Sequence, residues 1–183
     1  MRGGAWWVIL VAIAVGWGKG GHMGPTTDIA RVHTGGSGGQ DTWARTRLAA
    51  LQRVAPDLPE PSARALVAQM AWETGWGAGE WNFNVGNLVA SPGAPAFQMN
   101  APGSSATRWQ SFRSLDEGVR SFVATVKSYA DAWANLLSAP QTDAWVRALA
   151  AGPRKYYEDN PAHYAGGVMG CLANVNAILG VSA

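Results

Sequence analysis

Disulfides, metal-ligand clusters and long charged stretches are all missing from this sequence of 183 residues. Its one cysteine, Cys171, has no partner within the chain, so no intrachain disulfide forms; set in an apolar helical pattern, it reads as a small buried hydrophobe. His22, His33 and His163 are scattered without metal-ligand spacing, and no Cys/His cluster exists, so neither zinc nor any other cofactor is expected. The glycines from Gly35 to Gly39 lack the Lys-Ser/Thr that would follow in a phosphate-cradling loop. Charged residues make up only 14% of the chain and the formal net charge is +2, which excludes the large basic surface that nucleic acid needs. A weakly cationic surface does suit an anionic cell wall.

Long apolar runs are lacking too. The nearest is Gly3 to Gly18, uncharged and rich in Trp, Val, Ile and Ala, between Arg2 and Lys19. As a helix it spans about 24 Å, short of the roughly 30 Å hydrocarbon core of a bilayer. Two readings stand: a cleaved secretory signal with Ala12-Ile13-Ala14 as the small-x-small site, or an uncleaved signal anchor. The anchor is favoured, with residues 5–18 in the membrane, Trp6, Trp7 and Trp17 at its interfaces and some local thinning. Residues 19–40, rich in Gly, Ser and Thr, read as a flexible linker with an r.m.s. span of about 25 Å. The expected organisation is therefore an anchor over 1–18, a linker over 19–40 and one domain over 41–183, with apolar content sufficient for a core.

Beyond the linker the periodicity is mostly helical, and the expected fold class is mainly α (α+β). Asp41 is placed to cap a helix through Val54, with Trp43, Leu48, Leu51 and Val54 inward. The proline-rich stretch from Pro56 to Pro61 stops that helix; Ser62 is the expected N-cap of the next, Ala63 to Thr74, with Leu66, Val67, Met70, Ala71 and Thr74 inward. Residues 88–113, with Ser-Pro-Gly, Ala-Pro-Gly and an alternating Thr-Arg-Trp-Gln-Ser-Phe segment, predict a short β-hairpin or irregular lobe. Ser114-Leu115-Asp116-Glu117 is a capping box, opening an amphipathic helix predicted to run from Leu115 to Leu137. Thr142 to Ala151 and Ala162 to Leu179 supply two more helices. Trp43, Trp133 and Trp145 fall at helical spacings and are expected in the core.

Chemistry concentrates at Trp72-Glu73-Thr74-Gly75-Trp76-Gly77. Glu73 lies seven residues after Leu66 and three after Met70, so the helical period sets its carboxylate at the edge of the apolar stripe. A glutamate there loses hydration, which raises its pKa from about 4.3 toward about 6 or above, the range of a general acid. Gly75 and Gly77 end the helix and let the backbone turn closely around the site. Asn82-Phe83-Asn84-Val85-Gly86-Asn87-Leu88 follows, in which Asn84 and Asn87 offer amides suited to an N-acetyl group or to an ordinary turn, and Gly86 marks a positive φ or a close approach.

Together with Trp109-Gln110-Ser111-Phe112-Arg113-Ser114 and the acidic helix opening after it, these motifs resemble those of the lysozyme-like peptidoglycan glucosaminidases of bacteria and phages, the flagellar and autolysin types. Tyr156-Tyr157-Glu158-Asp159 with Tyr164 is similar to the segment that closes the family's cleft. The resemblance runs in order over roughly residues 60–180. It implies a lysozyme-like two-lobed fold, a glycan cleft, peptidoglycan strands as substrate, Glu73 as the acid, and Trp76, Trp109 and Tyr156 as cleft residues beside Asn84 and Asn87. A wall-cleaving domain must reach the periplasm or cell exterior, whether anchored, secreted or carried in an envelope or phage-particle assembly.

The sequence departs from that pattern in one respect. Many family members carry a second carboxylate in the small lobe, yet no Asp or Glu lies between Glu80 and Asp116. A partner must sit roughly 5–9.5 Å from the acid. Glu80 is the nearest candidate, since the capping box accounts for Asp116 and Glu117. The expectation is a single-acid mechanism in which the substrate supplies the nucleophile, giving either N-acetylglucosaminidase hydrolysis or the anhydro product of a lytic transglycosylase. Absence of the Gly-Leu-Met-Gln motif of many transglycosylases favours the former. A muramidase, or a non-catalytic wall-binding module on the same fold, is the alternative.

Overall fold

A computed structural model of the protein describes residues 29–98, 107–151 and 160–181. Six helices and one small sheet follow in chain order: α1 (Gly39–Val54), α2 (Glu60–Thr74), β1 (Ala96–Gln98), β2 (Arg108–Gln110), α3 (Leu115–Lys127), α4 (Ala130–Ser138), α5 (Ala144–Ala151) and α6 (Pro161–Leu179). The mainly helical body with a small β element matches the expected fold class. The anchor reading of residues 1–18 falls outside the described residues, and among the described residues no helix is long and apolar enough to cross a membrane.

Helix α2 is the axis of the domain. Its alanines and Leu66, Val67 and Met70 are buried on all sides rather than along one stripe, because α1, α4 and above all α6 pack around it. A helix wrapped in this way carries little freedom to tilt, so its C-terminal end is a rigid mounting for whatever residues it bears. Phe122, Val126, Leu136, Trp145, Leu149, Val168 and Val175 complete the core around it, and Trp43 and Trp145 are buried as their spacing predicted.

Two helix boundaries differ from the sequence reading. Ser62 lies inside α2, which starts at Glu60 with Pro61 in its first turn, where proline's missing N–H costs nothing. The Ser62 hydroxyl instead donates to the Leu136 carbonyl at 2.9 Å, tying α2 to α4. The predicted helix from Leu115 to Leu137 is two helices. Ser128 Oγ donates to Thr125 O at 2.7 Å and Tyr129 leaves helical geometry at φ −100°, ψ 86°, so α4 folds back toward the core while the apolar spacing runs on across the break. Ser114 caps α3 as expected, with Glu117 N donating to Ser114 Oγ at 3.2 Å, while the Glu117 carboxylate accepts from Arg113 N at 2.9 Å rather than from Ser114 N.

The strands pair antiparallel with Phe97 opposite Trp109, and Val89 adds an isolated bridge to Trp109. Gly86 is a close-approach position: a Cβ there would come within 2.4 Å of the Phe122 ring.

The largest difference concerns the described part of the predicted linker, residues 29–40, residues 19–28 lying outside the described residues. From residue 29 onward the chain is a strap docked on the domain. Ile29 N donates to Ala96 O at 2.7 Å, Asn82 N to Val32 O at 2.8 Å and Thr34 N to Glu80 O at 3.0 Å. The Asn82 side chain closes the pairing by accepting from Val32 N at 2.6 Å and donating to Ala30 O at 3.0 Å. Gly35 presses so closely on Gly77 that a Cβ would fall 1.9 Å from the Gly77 carbonyl oxygen. Glycine is there for contact, not for flexibility.

Each of these hydrogen bonds contributes on the order of 1 kcal/mol. A chain beginning at residue 41 is therefore expected to unfold several degrees below one beginning at residue 29 when both are followed by circular dichroism; equal melting temperatures would show that the strap adds nothing.

Candidate active site

The end of α2 is built by satisfying its last carbonyls one by one, as a buried helix end requires. Gly75 takes the left-handed conformation at φ 58°, ψ 48° and its N–H returns to Ala71 O, joined there by Trp76 N at 2.9 Å. Thr74 O accepts from Gly79 N at 2.7 Å, and the Thr74 hydroxyl accepts from Gly77 N at 3.0 Å. Glu73 O accepts a short bond from Asn87 Nδ2. The loop that follows is thereby pinned to the residue that carries the chemistry. It is an unusual loop, for Trp76, Asn82, Phe83 and Asn87 all have φ between 49° and 59°, a region that side chains with a Cβ seldom occupy.

Glu73 sits where α2 meets α6. The residue as a whole is half-buried, but its Oε2 is sealed from solvent with no hydrogen-bond partner. Oε1 accepts a bond from the Tyr164 hydroxyl at 2.5 Å. Desolvation dominates and pushes the carboxyl up to about 8 from an ordinary 4.5, while the Tyr164 bond, which favours the ionised form, pulls the other way. At neutral pH the group is a protonated carboxylic acid. Beside it Trp72 is half-buried and meets His163 and Tyr164 edge to face, with ring centroids 5.6 and 6.4 Å away. Gly167 makes room for that indole, since a Cβ there would lie 2.4 Å from it.

The other residues singled out in the sequence divide. Glu80 is fully buried, and both its oxygens accept from Arg47 Nη2, at 2.7 and 2.8 Å. Thr34 Oγ1 reaches the same carboxylate at 3.3 Å, and Arg47 lies over the Trp43 ring. This is an interior ion pair joining α1, the strap and the loop, not a carboxylate exposed to a scissile bond. Asn84 is also buried, its amide consumed by the turn: it accepts from Leu88 N at 2.7 Å and donates to Leu88 O and Gln110 O. No donor is left over for an acetamido group. Trp109 is 5% exposed and packed within the β element, which removes it from a sugar-binding surface. Asn87 donates to the Glu73 backbone carbonyl, and Trp76 is half-buried against Trp43 with centroids 5.7 Å apart. Tyr156 lies outside the described residues.

The sequence points to Tyr156 as the cleft tyrosine and to Tyr164 only in passing; among the described residues it is Tyr164 that bonds to Glu73. Gln69 escapes the sequence reading too; its Nε2 donates to the Tyr164 hydroxyl at 3.2 Å. Gln69 did leave a signal: a lone amide in a run of buried alanines and aliphatics, four residues before Glu73 and so on its face of the helix. Among the described residues no group of three or more His, Cys, Asp or Glu side chains is arranged to hold a metal ion.

The fold is shared with known proteins. A peptidoglycan hydrolase mutant from Sphingomonas sp. A1 superposes with a TM-score of 0.59 at 21% identity, over 76% of this chain and 97% of that one. A C-terminally truncated glycoside hydrolase domain from Salmonella typhimurium FlgJ gives a TM-score of 0.54 at 20% identity, over 75% and 98% of the two chains. At such identities the likeness is one of fold alone. No protein-family model matches the sequence, and no curated protein does.

Two stability measurements follow. A carboxyl whose folded-state pKa lies above its unfolded value is stabilising relative to the unfolded chain only while protonated, so stability falls as pH rises from about 4.5 to about 8. Glu73→Gln, neutral at every pH, should match the wild type near pH 4.5 and melt higher above pH 8, by about 2–4 °C per kcal/mol of relief; a difference that does not vary with pH would contradict the buried acid. Glu80→Gln strands the Arg47 charge and should cost about 3–5 kcal/mol in urea unfolding, a loss that an exposed catalytic carboxylate would not produce.

Proposed function

We propose that the protein is a peptidoglycan hydrolase that cleaves β-1,4 glycosidic bonds of the glycan strand as an N-acetylglucosaminidase, with Glu73 as general acid. The observation that carries this reading is the setting of the Glu73 carboxyl, one oxygen bonded to Tyr164 and the other dry and unpartnered, at the end of a helix packed on all sides. The shared fold with peptidoglycan and glycoside hydrolases adds to it.

In the proposed reaction the Glu73 carboxyl gives its proton to the glycosidic oxygen as the C1–O bond breaks. Tyr164 stabilises the carboxylate that forms, through a hydrogen bond that strengthens as charge develops on Oε1. Glu80 is committed to Arg47, and Asp116 to a pair with Arg53 at 2.6 Å. The substrate is therefore assigned the nucleophile: the acetamido carbonyl oxygen attacks C1 from the opposite face, and water then opens the oxazolinium ring, returning a proton to Glu73. Trp76, Asn87 and Tyr156 are proposed as contacts to the sugar. The domain acts on the wall side of the envelope, with residues 5–18 as its membrane attachment.

The test is mass spectrometry of fragments released from purified peptidoglycan by the full chain and by Glu73→Gln. Reducing-end N-acetylglucosamine is expected from the wild type. The variant should be slower by about 10²–10⁴-fold, the usual contribution of a general acid, and wild-type activity should decline above about pH 8 as the acid loses its proton. Reducing muramic ends would instead identify a muramidase, and anhydromuramyl ends a transglycosylase using the muramyl 6-hydroxyl. Absence of products from folded wild type, with retained binding to wall sacculi, would sink the catalytic reading in favour of a binding module.

A further inference from the structure

Thr34 sits half-buried in the strap and commits every polar group it has. Its N–H donates to Glu80 O at 3.0 Å and its carbonyl accepts from Arg47 Nη2 at 3.3 Å. Its hydroxyl works in both directions, accepting from Phe83 N at 2.8 Å and donating to Glu80 Oε1 at 3.3 Å. The partners settle that order, since a backbone N–H can only donate and leaves the hydroxyl proton for the carboxylate.

Phe83 is a residue that needs such a partner. Its backbone is left-handed at φ 55° and lies outside every helix and strand, so its N–H has no ladder to join. Its carbonyl presses on α3, where a Cβ at Gly118 would fall 1.9 Å from the carbonyl oxygen. Four residues on, Asn87, also left-handed at φ 49°, donates through Nδ2 to the Glu73 carbonyl. The segment 83–87 therefore begins on a strap hydroxyl and ends on the residue that carries the acid. Loss of the hydroxyl leaves the interior charge pair in place, because Arg47 holds both Glu80 oxygens by itself. What it removes is the hold on Phe83.

We propose that Thr34 is a positioning residue for the Glu73 site: its hydroxyl, through Phe83, keeps the 83–87 turn in the left-handed geometry from which Asn87 reaches the Glu73 backbone. A chain whose strap is unseated then has a folded helical body and a slack turn beside its acid. This rests on Glu73 being the general acid. Thr34 itself touches no substrate.

The experiment follows the Asn87 side-chain amide of the full ¹⁵N-labelled chain by NMR, its signals assigned from their loss in Asn87→Gly, a substitution that φ 49° tolerates. Thr34→Val keeps the shape and removes the hydroxyl; Thr34→Ser keeps the hydroxyl and removes the methyl. Gly35→Ala unseats the strap by a separate route, since its Cβ meets the Gly77 carbonyl and Gly35 is not among the positive-φ glycines. In Thr34→Val and Gly35→Ala the Asn87 signals should move to the position of a free amide, and the Phe83 N–H should exchange about tenfold faster or more, with the α2 and α6 amides unchanged. Thr34→Ser should keep the wild-type pattern. On wall sacculi Thr34→Val should lower turnover about tenfold at undiminished retention, and Thr34→Ser should restore it. A merely structural Thr34 would lower the melting temperature with the Asn87 signals unmoved, and a packing role would make the serine variant worse than the valine one. Either result overturns the proposal, as do Asn87 signals that stay in place in Gly35→Ala. Variants that shift as expected, in a protein whose wild type leaves the wall uncut, would overturn the proposed function and leave the coupling of strap to turn standing.

Discussion

The loop from Gly75 to Asn87 holds its backbone in the left-handed region at Trp76, Asn82, Phe83 and Asn87, and much of the surrounding structure exists to keep it there. Positions of this kind cost on the order of 1–3 kcal/mol each for residues other than glycine. They persist only when neighbours overdetermine them. Asn82 is held through both ends of its amide by the strap and by Ser111. Phe83 N donates to Thr34 Oγ1 at 2.8 Å, and Asn87 is tied to the last turn of α2. Beneath the loop the Arg47–Glu80 pair binds its base to α1. Strap, ion pair and helix end form one arrangement whose product is a fixed loop beside a fixed carboxyl.

That carboxyl is subject to two opposed forces. Burial favours its protonated form and Tyr164 favours its ionised form, with burial the larger. The balance keeps a proton available at neutral pH and still provides a donor to receive the charge when the proton leaves. Neither term alone would serve. A dry carboxyl without Tyr164 would hold its proton too firmly, and a well-solvated one would not hold it at all.

Local signals were legible in the sequence and long-range pairings were not. The Ser114 cap, the hairpin and the glycine-ended helix all follow from spacing within a few residues, and all are present. Glu80 was misjudged because its partner, Arg47, lies 33 residues away. The same reason hides Asn84, whose amide is used up by Leu88 and Gln110, and Tyr164, which reaches Glu73 from 91 residues downstream. The strap was misread because composition was taken as flexibility. A glycine chosen for close contact, as Gly35 is against Gly77, looks in sequence the same as one chosen for freedom. The break at Ser128 escaped notice because the apolar spacing continues through it.

The docking of the strap also has a mechanical side. Its bonds lie in series along the chain: Ile29 to the β element, Val32 to Asn82, Thr34 to Glu80, and only then the start of α1. Tension applied from the N-terminal side reaches these contacts before it reaches the helical core. The β element and then the loop beside Glu73 are therefore the first parts of the domain to be strained by a pull, and α2, wrapped on all sides, is among the last.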